Sequence, residues 1–427
     1  VRGTVATFAL LLAFVSMAAS SWAPLAHAAQ RDFYFLPLGG ERGLAQNTVT
    51  AFAEDPQGFV WVGTQGGLHR YDGQRYQLFR HDPGDPDTLP DSYITALAVE
   101  GRDALWVGTY GEFVARLDLR NGHVRRFAAG SDNATATSPR RQVAAVLPVD
   151  GKLYVGTWGG LLRFDPKTGR SEVLLPIDPR LVLPSPQQVL VRDRDNAVWY
   201  GSAAGLYRFG AGGGAERLSD GVVRALAFDR NGKLWVGRPD GLYRLRDDGR
   251  ALLRAWPLEG ATESSTDIRA IAQTPDRRLW FSVYGDGMRR FDPATGETEA
   301  MRESTEKGAL AENSIGQLLV DRSGALWVGG LFRGPSIVDP IGTRFHYLAG
   351  NPGGESVRAM LEDATGHWWI GTDGGGLFRA DIHGDDWSEI AAFRDSMPPG
   401  PMIVSRRGSR SSHREAASES SRSRPRK

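Results

Sequence analysis

FVWVGTQGGLHRYD, residues 59–72, decides the fold, because the same phrase returns seven more times along the 427 residues of the chain. Each copy has an aromatic residue, an aliphatic residue and Gly, then a turn and a second apolar stretch. The aromatic positions are Trp61, Trp106, Tyr154, Trp199, Trp235, Trp280, Trp327 and Trp369. A period of roughly 45 residues without helical patterning predicts one small antiparallel sheet per repeat, arranged radially. We therefore predict an all-β propeller of four-stranded blades, with these aromatic side chains as its buried anchors.

The first copy can be divided into strands. Residues 47–55, NTVTAFAED, alternate apolar and polar residues, as a half-buried strand does. After a Pro- and Gly-containing turn, FVWVGT is almost wholly apolar, which favours a strand covered on both faces. LHRYD and RYQLFR (75–80) complete the blade. An Asp recurs six residues before several of the Trp residues, and we expect it to cap the turn.

The number of blades follows from two similar segments, FYFLPL (33–38) and FHYLAG (345–350). A propeller usually closes by pairing an N-terminal strand with its last blade, which leaves no open edge. If FYFLPL closes the seventh blade, residues 30–344 form a seven-bladed propeller. Residues 345–395 are then the first blade of a second, truncated propeller. A single eight-bladed ring is the alternative.

The two ends of the chain differ from the repeats. Residues 1–29 contain an early Arg, an apolar run and an Ala-His-Ala site, which is typical of a secretory signal peptide and predicts a periplasmic protein. An uncleaved membrane anchor is the rival interpretation. Residues 396–427 are rich in Arg and Ser. We interpret them as a disordered tail or as the product of a shifted reading frame, and we predict no nucleic-acid partner.

The search for catalytic motifs gives little. The chain has no P-loop, nucleophile elbow or H-E-x-x-H motif. The His residues lack metal-ligand spacing, and there is no Cys. We therefore predict no metal, no cofactor and no enzymatic activity.

A binding site can be placed by geometry. In a four-stranded blade, the turn after the second strand and the connector to the next blade share one face near the central channel, where variable loops carry function. Aromatic platforms beside Arg and Asp suit a sugar or an amphipathic small molecule. The alternative is that these side chains close the channel mouth or pack on adjacent blades. The candidate ligand-binding residues are Tyr110, Trp158, Tyr284, Asp373, Arg141, Arg224 and Arg269.

The phrases D-x-x-G-x-[LV]-W-[VI]-G-T and G-L-x-R-[FY]-D resemble the two-component regulator propeller repeat, and the resemblance covers residues 32–382. It implies the periplasmic sensor region of a bacterial transmembrane receptor for a small-molecule ligand, such as a carbohydrate. Such receptors carry a second propeller, a β-sandwich, a membrane helix and an output module. That module is a histidine kinase feeding a phosphorelay or a diguanylate cyclase.

After residue 395 the sequence has no recognisable sandwich, membrane helix or output module, so the resemblance implies a truncated receptor. It would reach the membrane only through the missing downstream segment, and the full-length receptor would be a homodimer. Two other classes stay open. One is an exported propeller enzyme of the glycoside hydrolase or lyase type, which would need a pair of carboxylates on the channel face. The other is a scaffold that binds another protein.

Overall fold

The repeats form antiparallel sheets in a computed structural model of the chain. The structure describes residues 33–341 without 112, 129–141, 158–159, 177–188, 211–213 and 258–264, and residues 357–389 without 364, 366, 373–375 and 382–386. These residues contain eight four-stranded sheets, and every pairing within the sheets is antiparallel. The all-β propeller class predicted from the repeat is confirmed.

Strand β1 (Leu36–Pro37) precedes the first blade and is followed by a 3-10 turn at Gly40–Arg42. The strands of blades 1 and 2 are β2 Val49–Glu54, β3 Val60–Thr64, β4 Gly67–Tyr71, β5 Tyr76–Phe79, β6 Ile94–Glu100, β7 Ala104–Thr109, β8 Phe113–Asp118 and β9 Val124–Ala128. Those of blades 3 and 4 are β10 Val143–Val149, β11 Lys152–Thr157, β12 Leu161–Phe164, β13 Ser171–Leu175, β14 Leu190–Arg192, β15 Val198–Gly201, β16 Gly205–Phe209 and β17 Ala215–Asp220.

The strands of blades 5 and 6 are β18 Ala225–Phe228, β19 Leu234–Arg238, β20 Gly241–Leu245, β21 Leu252–Trp256, β22 Ile268–Gln273, β23 Leu279–Val283, β24 Met288–Phe291 and β25 Thr298–Met301. Blade 7 contributes β26 Ile315–Val320, β27 Leu326–Gly330 and β28 Pro335–Val338, and a further sheet consists of β29 Val357–Glu362, β30 His367–Thr372, β31 Leu377–Asp381 and β32 Trp387–Glu389.

The ring closes with seven blades. Strand β1 completes the sheet of blade 7 by pairing Leu36 with Ile337 and Pro37 with Ser336. The innermost strands contact one another in chain order, and β26 of blade 7 contacts β2 of blade 1. Phe33, Phe35 and Leu38, which flank β1, are buried. The prediction that FYFLPL closes the seventh blade is therefore confirmed, and the eight-bladed alternative is wrong.

Adjacent blades are held together at the Gly of the W-V-G phrase. A Cβ on Gly63 would lie 2.8 Å from Cγ2 of Ile94, the leading aliphatic residue of the next blade. Gly108 approaches Val143 in the same way, at 2.6 Å. Gly329 of blade 7 approaches Val49 of blade 1 at 2.8 Å, so the contact continues around the ring. The Gly recurs because any side chain there would overlap the neighbouring blade.

The aromatic anchors lie in the cores between blades. Trp280 is fully buried, and Trp61, Trp106, Trp199, Trp235 and Trp327 are at most 6% exposed. Tyr154 and Trp369 are half-buried. In most blades the indole N–H of the Trp donates a hydrogen bond to the carboxylate of the residue six positions earlier, at 2.8 to 3.1 Å. The pairs are Trp61–Asp55, Trp106–Glu100, Trp199–Asp193, Trp235–Asp229, Trp327–Asp321 and Trp369–Asp363.

The eighth sheet belongs to a second compact unit, separate from the unit Asp32–Phe345. Its first three strands repeat the register of the blades, with Ala359 paired to Gly371 and Leu361 to Trp369. This sheet is the additional blade expected after the seven-bladed propeller. None of the helical segments that the structure describes has the length and apolar character needed to cross a bilayer. Segment 345–350, the signal-peptide region and the tail 396–427 lie outside the described residues.

Candidate functional site

The turns after the second strands and the inter-blade connectors meet on one face of the propeller. In blade 2 the backbone N–H of Tyr110, in the turn, donates to the carbonyl of Tyr93, in the connector, at 2.9 Å. Blade 6 has the equivalent bond from Tyr284 to Asp267, also at 2.9 Å. In blade 7 Leu331 donates to Ser314 at 3.0 Å. Turn and connector are thus fixed to each other, and we call the surface that they form the channel face.

Four of the seven candidate ligand-binding residues are described: Tyr110, Tyr284, Arg224 and Arg269. Trp158, Arg141 and Asp373 lie outside the described residues. The four fall into two groups, since Tyr110 stands on blade 2 and the others on blades 5 and 6. Blade 2 is not a neighbour of blade 5 or blade 6 in the ring, so the structure does not bring all four residues together.

The blade 2 group is centred on two stacked rings. Tyr93 and Tyr110 lie 4.8 Å apart between ring centroids with an interplanar angle of 6°. The amide of Gln65, in the turn of blade 1, donates to the hydroxyl of Tyr93 at 3.4 Å. Burial raises the pKa of Tyr93 above its usual range. One face of the Tyr110 ring is therefore already covered by a neighbour within the protein, which agrees with the alternative that such side chains pack at the channel mouth.

The blade 5–6 group combines two guanidinium groups, one carboxylate and one exposed ring. Arg269 binds Oδ2 of Asp267 through Nε at 2.9 Å and Nη2 at 2.7 Å. The guanidinium of Arg269 lies 4.4 Å from the ring centroid of Tyr284, a cation–π contact. Nε of Arg224 lies 2.9 Å from Oδ1 of Asp267. Together these contacts form a connected cluster across two adjacent blades, which we call the Arg224–Arg269 cluster.

Arg224 is poorly compensated within this cluster. Its ion pair with Asp267 has a short distance but not the geometry of a hydrogen bond, and Nε and Nη1 are buried without a hydrogen-bond partner among the described residues. Burial lowers the pKa of Arg224, and the positive charge of Arg269 lowers it further. Since an Arg side chain stays protonated in proteins, this shift reflects a guanidinium whose charge is costly in its surroundings.

Blade 5 adds a second set of charges on the same face. Asp240 accepts a hydrogen bond from the hydroxyl of Tyr243 at 2.6 Å and from Nη2 of Arg254 at 3.1 Å. Nε of Arg238 lies 3.6 Å from Asp240. One carboxylate again faces two guanidinium groups, so positive charge exceeds negative charge in this part of the face.

Sequence reasoning missed the acidic residues that organise the face. Asp267, two positions before Arg269, holds both guanidinium groups of the cluster. Asp286 is buried in the turn of blade 6, where it binds Arg289 and Arg302. The carboxylate of Glu312 accepts the backbone N–H groups of Phe332 and Arg333. The number of Arg residues in blades 5 and 6 was a signal for Asp267 and Asp286, which bind guanidinium groups, but not for Glu312. Because all three are bonded internally, they do not form a free carboxylate pair.

The central channel contains a cavity of about 230 Å³ lined by the innermost strands. Its wall is mostly Ala, Val and Leu, with Thr50, Thr95 and Gln317 as the polar exceptions. Thr50 and Thr95 each follow the leading aliphatic residue of their blade. Arg224 and Arg269 stand at the same repeat position in blades 5 and 6. The repeat position that carries Thr, Thr, Ala and Gly in blades 1, 2, 3 and 7 therefore carries a long cation in blades 5 and 6.

A larger cleft, about 780 Å³, lies between blades 4 and 5 on the side of the capped turns. Several of its charged side chains are already engaged. Asp193 and Asp229 hold the indoles of Trp199 and Trp235, and Lys233 pairs with Asp247 at 3.3 Å. For this reason we favour the channel face over the larger cleft. Among the described residues, no group of three or more His, Asp or Glu side chains is arranged to hold a metal ion.

A family model for the two-component regulator propeller matches residues 43–66, 217–237 and 351–374. The matched segments lie in blade 1, across blades 4 and 5, and in the eighth sheet. A histidine kinase P4 of Formosa agariphila is 33% identical over 58 residues, which are 14% of this chain and 4% of that protein. The chain matches only this small part of its curated relative.

Solved structures share the fold. The extracellular domain of a B. thetaiotaomicron protein described as a hybrid two-component system matches with a TM-score of 0.62 and 20% identity, over 82% of this chain and 48% of that domain. The chain therefore spans about half of that domain. Virginiamycin B lyase from Staphylococcus aureus matches with a TM-score of 0.52 and 11% identity, over 72% of this chain and 98% of the lyase. Identities this low show the propeller fold alone.

Proposed function

We propose that this protein is the ligand-sensing propeller of an exported bacterial signalling receptor, and that it binds a small molecule on the channel face. The observation that carries the proposal is the Arg224–Arg269 cluster, where side chains from two blades converge beside the exposed ring of Tyr284. The family repeats and the fold shared with an extracellular two-component domain support the sensor class.

The location and the domain order form part of the proposal. Residues 1–29 would direct the chain to the periplasm, and residues 345–395 would begin a second propeller. A change in packing on ligand binding would then reach a histidine kinase or cyclase through parts of a receptor that follow the propellers. Ligand binding can shift such an equilibrium only if the two states differ in affinity for the ligand.

The propeller-lyase reading is weaker. It rests on a shared fold at 11% identity, whereas the repeat family is a regulator family. Hydrolysis or elimination by acid–base chemistry needs carboxylates positioned for proton transfer. On the channel face, Asp267, Asp286 and Glu312 are each bonded to guanidinium or backbone N–H groups. These contacts favour structural and binding roles.

A thermal-shift screen of the purified full chain tests the proposal, with a library of mono- and oligosaccharides, sugar acids and aromatic acids. A ligand at 100 times its Kd stabilises the folded state by about 2.7 kcal/mol. The Tyr284→Ala variant should lose the shift, because the side chain is 42% exposed on the channel face. The Leu253→Ala variant, whose side chain is 44% exposed on the outer strand β21, should keep it.

Two results would contradict the proposal. One is a hit whose thermal shift is unchanged in Tyr284→Ala and also in Tyr110→Ala, which would place the ligand elsewhere. The other is conversion of the hit to a new product during incubation, detected by mass spectrometry, which would favour the enzyme class. Fractionation of cells that express the full chain checks the periplasmic location separately.

A further inference from the structure

We propose that the Arg224–Arg269 cluster recognises a monovalent carboxylate attached to a ring. The inference rests on the proposed function, because it names the chemical class of the ligand at that same site. It depends on three features of the described residues: the charge of the cluster, its unsatisfied guanidinium and the exposed ring beside it.

The charge of the cluster is the first step. Arg224 and Arg269 contribute two positive charges, and Asp267 contributes one negative charge. The three side chains are only 17 to 20% exposed, so water screens the excess charge poorly. A bound ion with one negative charge would balance the cluster. A dianion would overcompensate it and would be repelled by Asp267, which favours a carboxylate over a phosphate group.

The unsatisfied guanidinium is the second step. Oδ2 of Asp267 accepts a hydrogen bond from Nε of Arg269 and lies 2.7 Å from Nη2 of the same side chain, whereas Oδ1 accepts no hydrogen bond among the described residues. Arg224 therefore has an ion-pair partner but few hydrogen bonds. The planar guanidinium group binds a carboxylate through two parallel N–H donors, and an end-on contact through Nη1 and Nη2 would supply the partner that Nη1 of Arg224 lacks. A small rotation of this side chain would expose its donors to a bound carboxylate.

The ring of Tyr284 is the third step. It is 42% exposed although it is a large aromatic side chain, and the guanidinium of Arg269 lies 4.4 Å from its centroid. A flat ring can stack against Tyr284 while its carboxylate reaches the adjacent guanidinium groups. The equivalent side chain in blade 2, Tyr110, already stacks on Tyr93. The two features needed for a ring-bearing acid thus coincide at blade 6.

The test uses 4-fluorobenzoate as the probe, with 4-fluorobenzamide as its uncharged match, and follows ¹⁹F NMR line broadening on titration with the full chain. We expect saturable binding of the acid in the millimolar range, as is usual for so small a fragment, and at least tenfold weaker binding of the amide. Acetate should compete, but weakly, because it lacks the ring. Equal binding of acid and amide, or no saturable binding of the acid, would overturn the proposal.

Variants separate the proposed recognition from loss of structure. Arg269→Gln should weaken binding of the acid at least tenfold, and Tyr284→Ala should weaken the acid while leaving acetate competition unchanged. Asp267→Asn should strengthen binding, because it removes the competing negative charge; a damaged fold would weaken binding instead. Arg75→Gln, whose side chain is 84% exposed on blade 1, is the control and should change nothing. Tighter binding in Arg269→Gln or weaker binding in a folded Asp267→Asn would contradict the proposal.

The outcome is distinct from that of the saccharide and acid screen. If the probe binds as described but no library compound shifts the melting temperature through the channel face, the anion site stands and the sensor proposal fails. If a neutral sugar binds through Tyr284 and the probe does not bind, the sensor proposal stands and the carboxylate assignment is wrong.

Discussion

Oδ2 of Asp55 accepts the indole N–H of Trp61 at 2.8 Å, while Oδ1 of the same carboxylate accepts the backbone N–H groups of Gln57 and Phe59 at 3.0 Å. One side chain therefore closes the turn and fixes the rotamer of the blade anchor. Both residues are 2% exposed. Because each partner is shielded from water, loss of the carboxylate would leave several donors unsatisfied.

We expect Asp55→Ala to lower the free energy of unfolding by about 3 kcal/mol, since buried unsatisfied donors cost about 1–3 kcal/mol each. Urea denaturation of the full chain measures this change. Asp247→Ala is the matched control, because that side chain is 81% exposed, and its effect should stay within about 0.5 kcal/mol. Similar small effects for both variants would show that the indole bond contributes little.

Blade 6 lacks this arrangement and offers the reverse experiment. Thr274 stands where the other blades with a Trp anchor have Asp or Glu, and the buried indole N–H of Trp280 has no hydrogen-bond partner among the described residues. The double variant Thr274→Asp/Asp276→Ser copies Asp321 and Ser323 of blade 7. We expect it to stabilise the protein by about 1 kcal/mol. In a Trp280→Phe background, which has no N–H to donate, the gain should vanish; a gain that persists there would have another cause.

The contact between blades predicts a compensating pair. Gly108→Ala would place a Cβ 2.6 Å from Cγ1 of Val143, and overpacking of this kind costs about 1–3 kcal/mol. Val143→Ala in the same chain removes the clash, so the double variant should lose less stability than the sum of the single variants. Gly210→Ala, where a Cβ meets no atom within 4 Å, is the control. Additive losses in denaturation would show that the two residues do not interact.

Stability should depend on pH through His69. Burial lowers the pKa of His69 to about 4, and Nε2 accepts the backbone N–H of Ala45 at 3.1 Å, which requires the neutral ring. The unfolded chain binds this proton near pH 6.5, so stability is complete above that pH and falls as the pH drops from 6.5 toward 4. The loss attributable to His69 should reach about 2–3 kcal/mol.

Urea denaturation between pH 7 and pH 4 measures that loss. His69→Gln should flatten the profile relative to the unmodified chain, because the amide keeps an acceptor for Ala45 but does not titrate in this range. His123→Gln, on a side chain that is 62% exposed, should leave the profile unchanged. An unaltered slope in His69→Gln would remove His69 as the cause.

The repeat itself carried the information that predicted the fold. Three local patterns were sufficient. The W-V-G-T phrase indicates a buried anchor, the Asp-containing turn indicates a tight turn, and the FYFLPL segment indicates a closing strand. The second role of Asp55, as acceptor for Trp61, was missed because turn capping alone already explained the residue. The constant spacing of six residues was the available signal, since a turn cap does not need a Trp at a fixed distance.

The channel face was less predictable. Tyr284 was selected because it interrupts a position that a bare turn would fill with a small polar residue. Arg224 and Arg269 were selected as residues at connector ends, and the three lie together. Tyr110 was selected for the same reason as Tyr284 and packs instead on Tyr93. Whether a neighbouring residue covers the ring of an aromatic residue in the turn depends on the conformation of the adjacent connector. That conformation is set by contacts between blades. The same holds for Asp267, whose importance arises only when two blades bring Arg224 and Arg269 to it.

Closure of the ring by β1 has a consequence for biosynthesis. The strand that completes blade 7 is made before the other strands that the structure describes, whereas its partner at Pro335–Val338 is made some three hundred residues later. Until then Phe33 and Phe35 have no core to enter, and the edge of β28 does not yet exist. The nascent chain must keep residues 33–38 accessible until blade 7 has been made. Any factor that shields this segment would therefore govern the yield of closed rings without changing the stability of the finished protein.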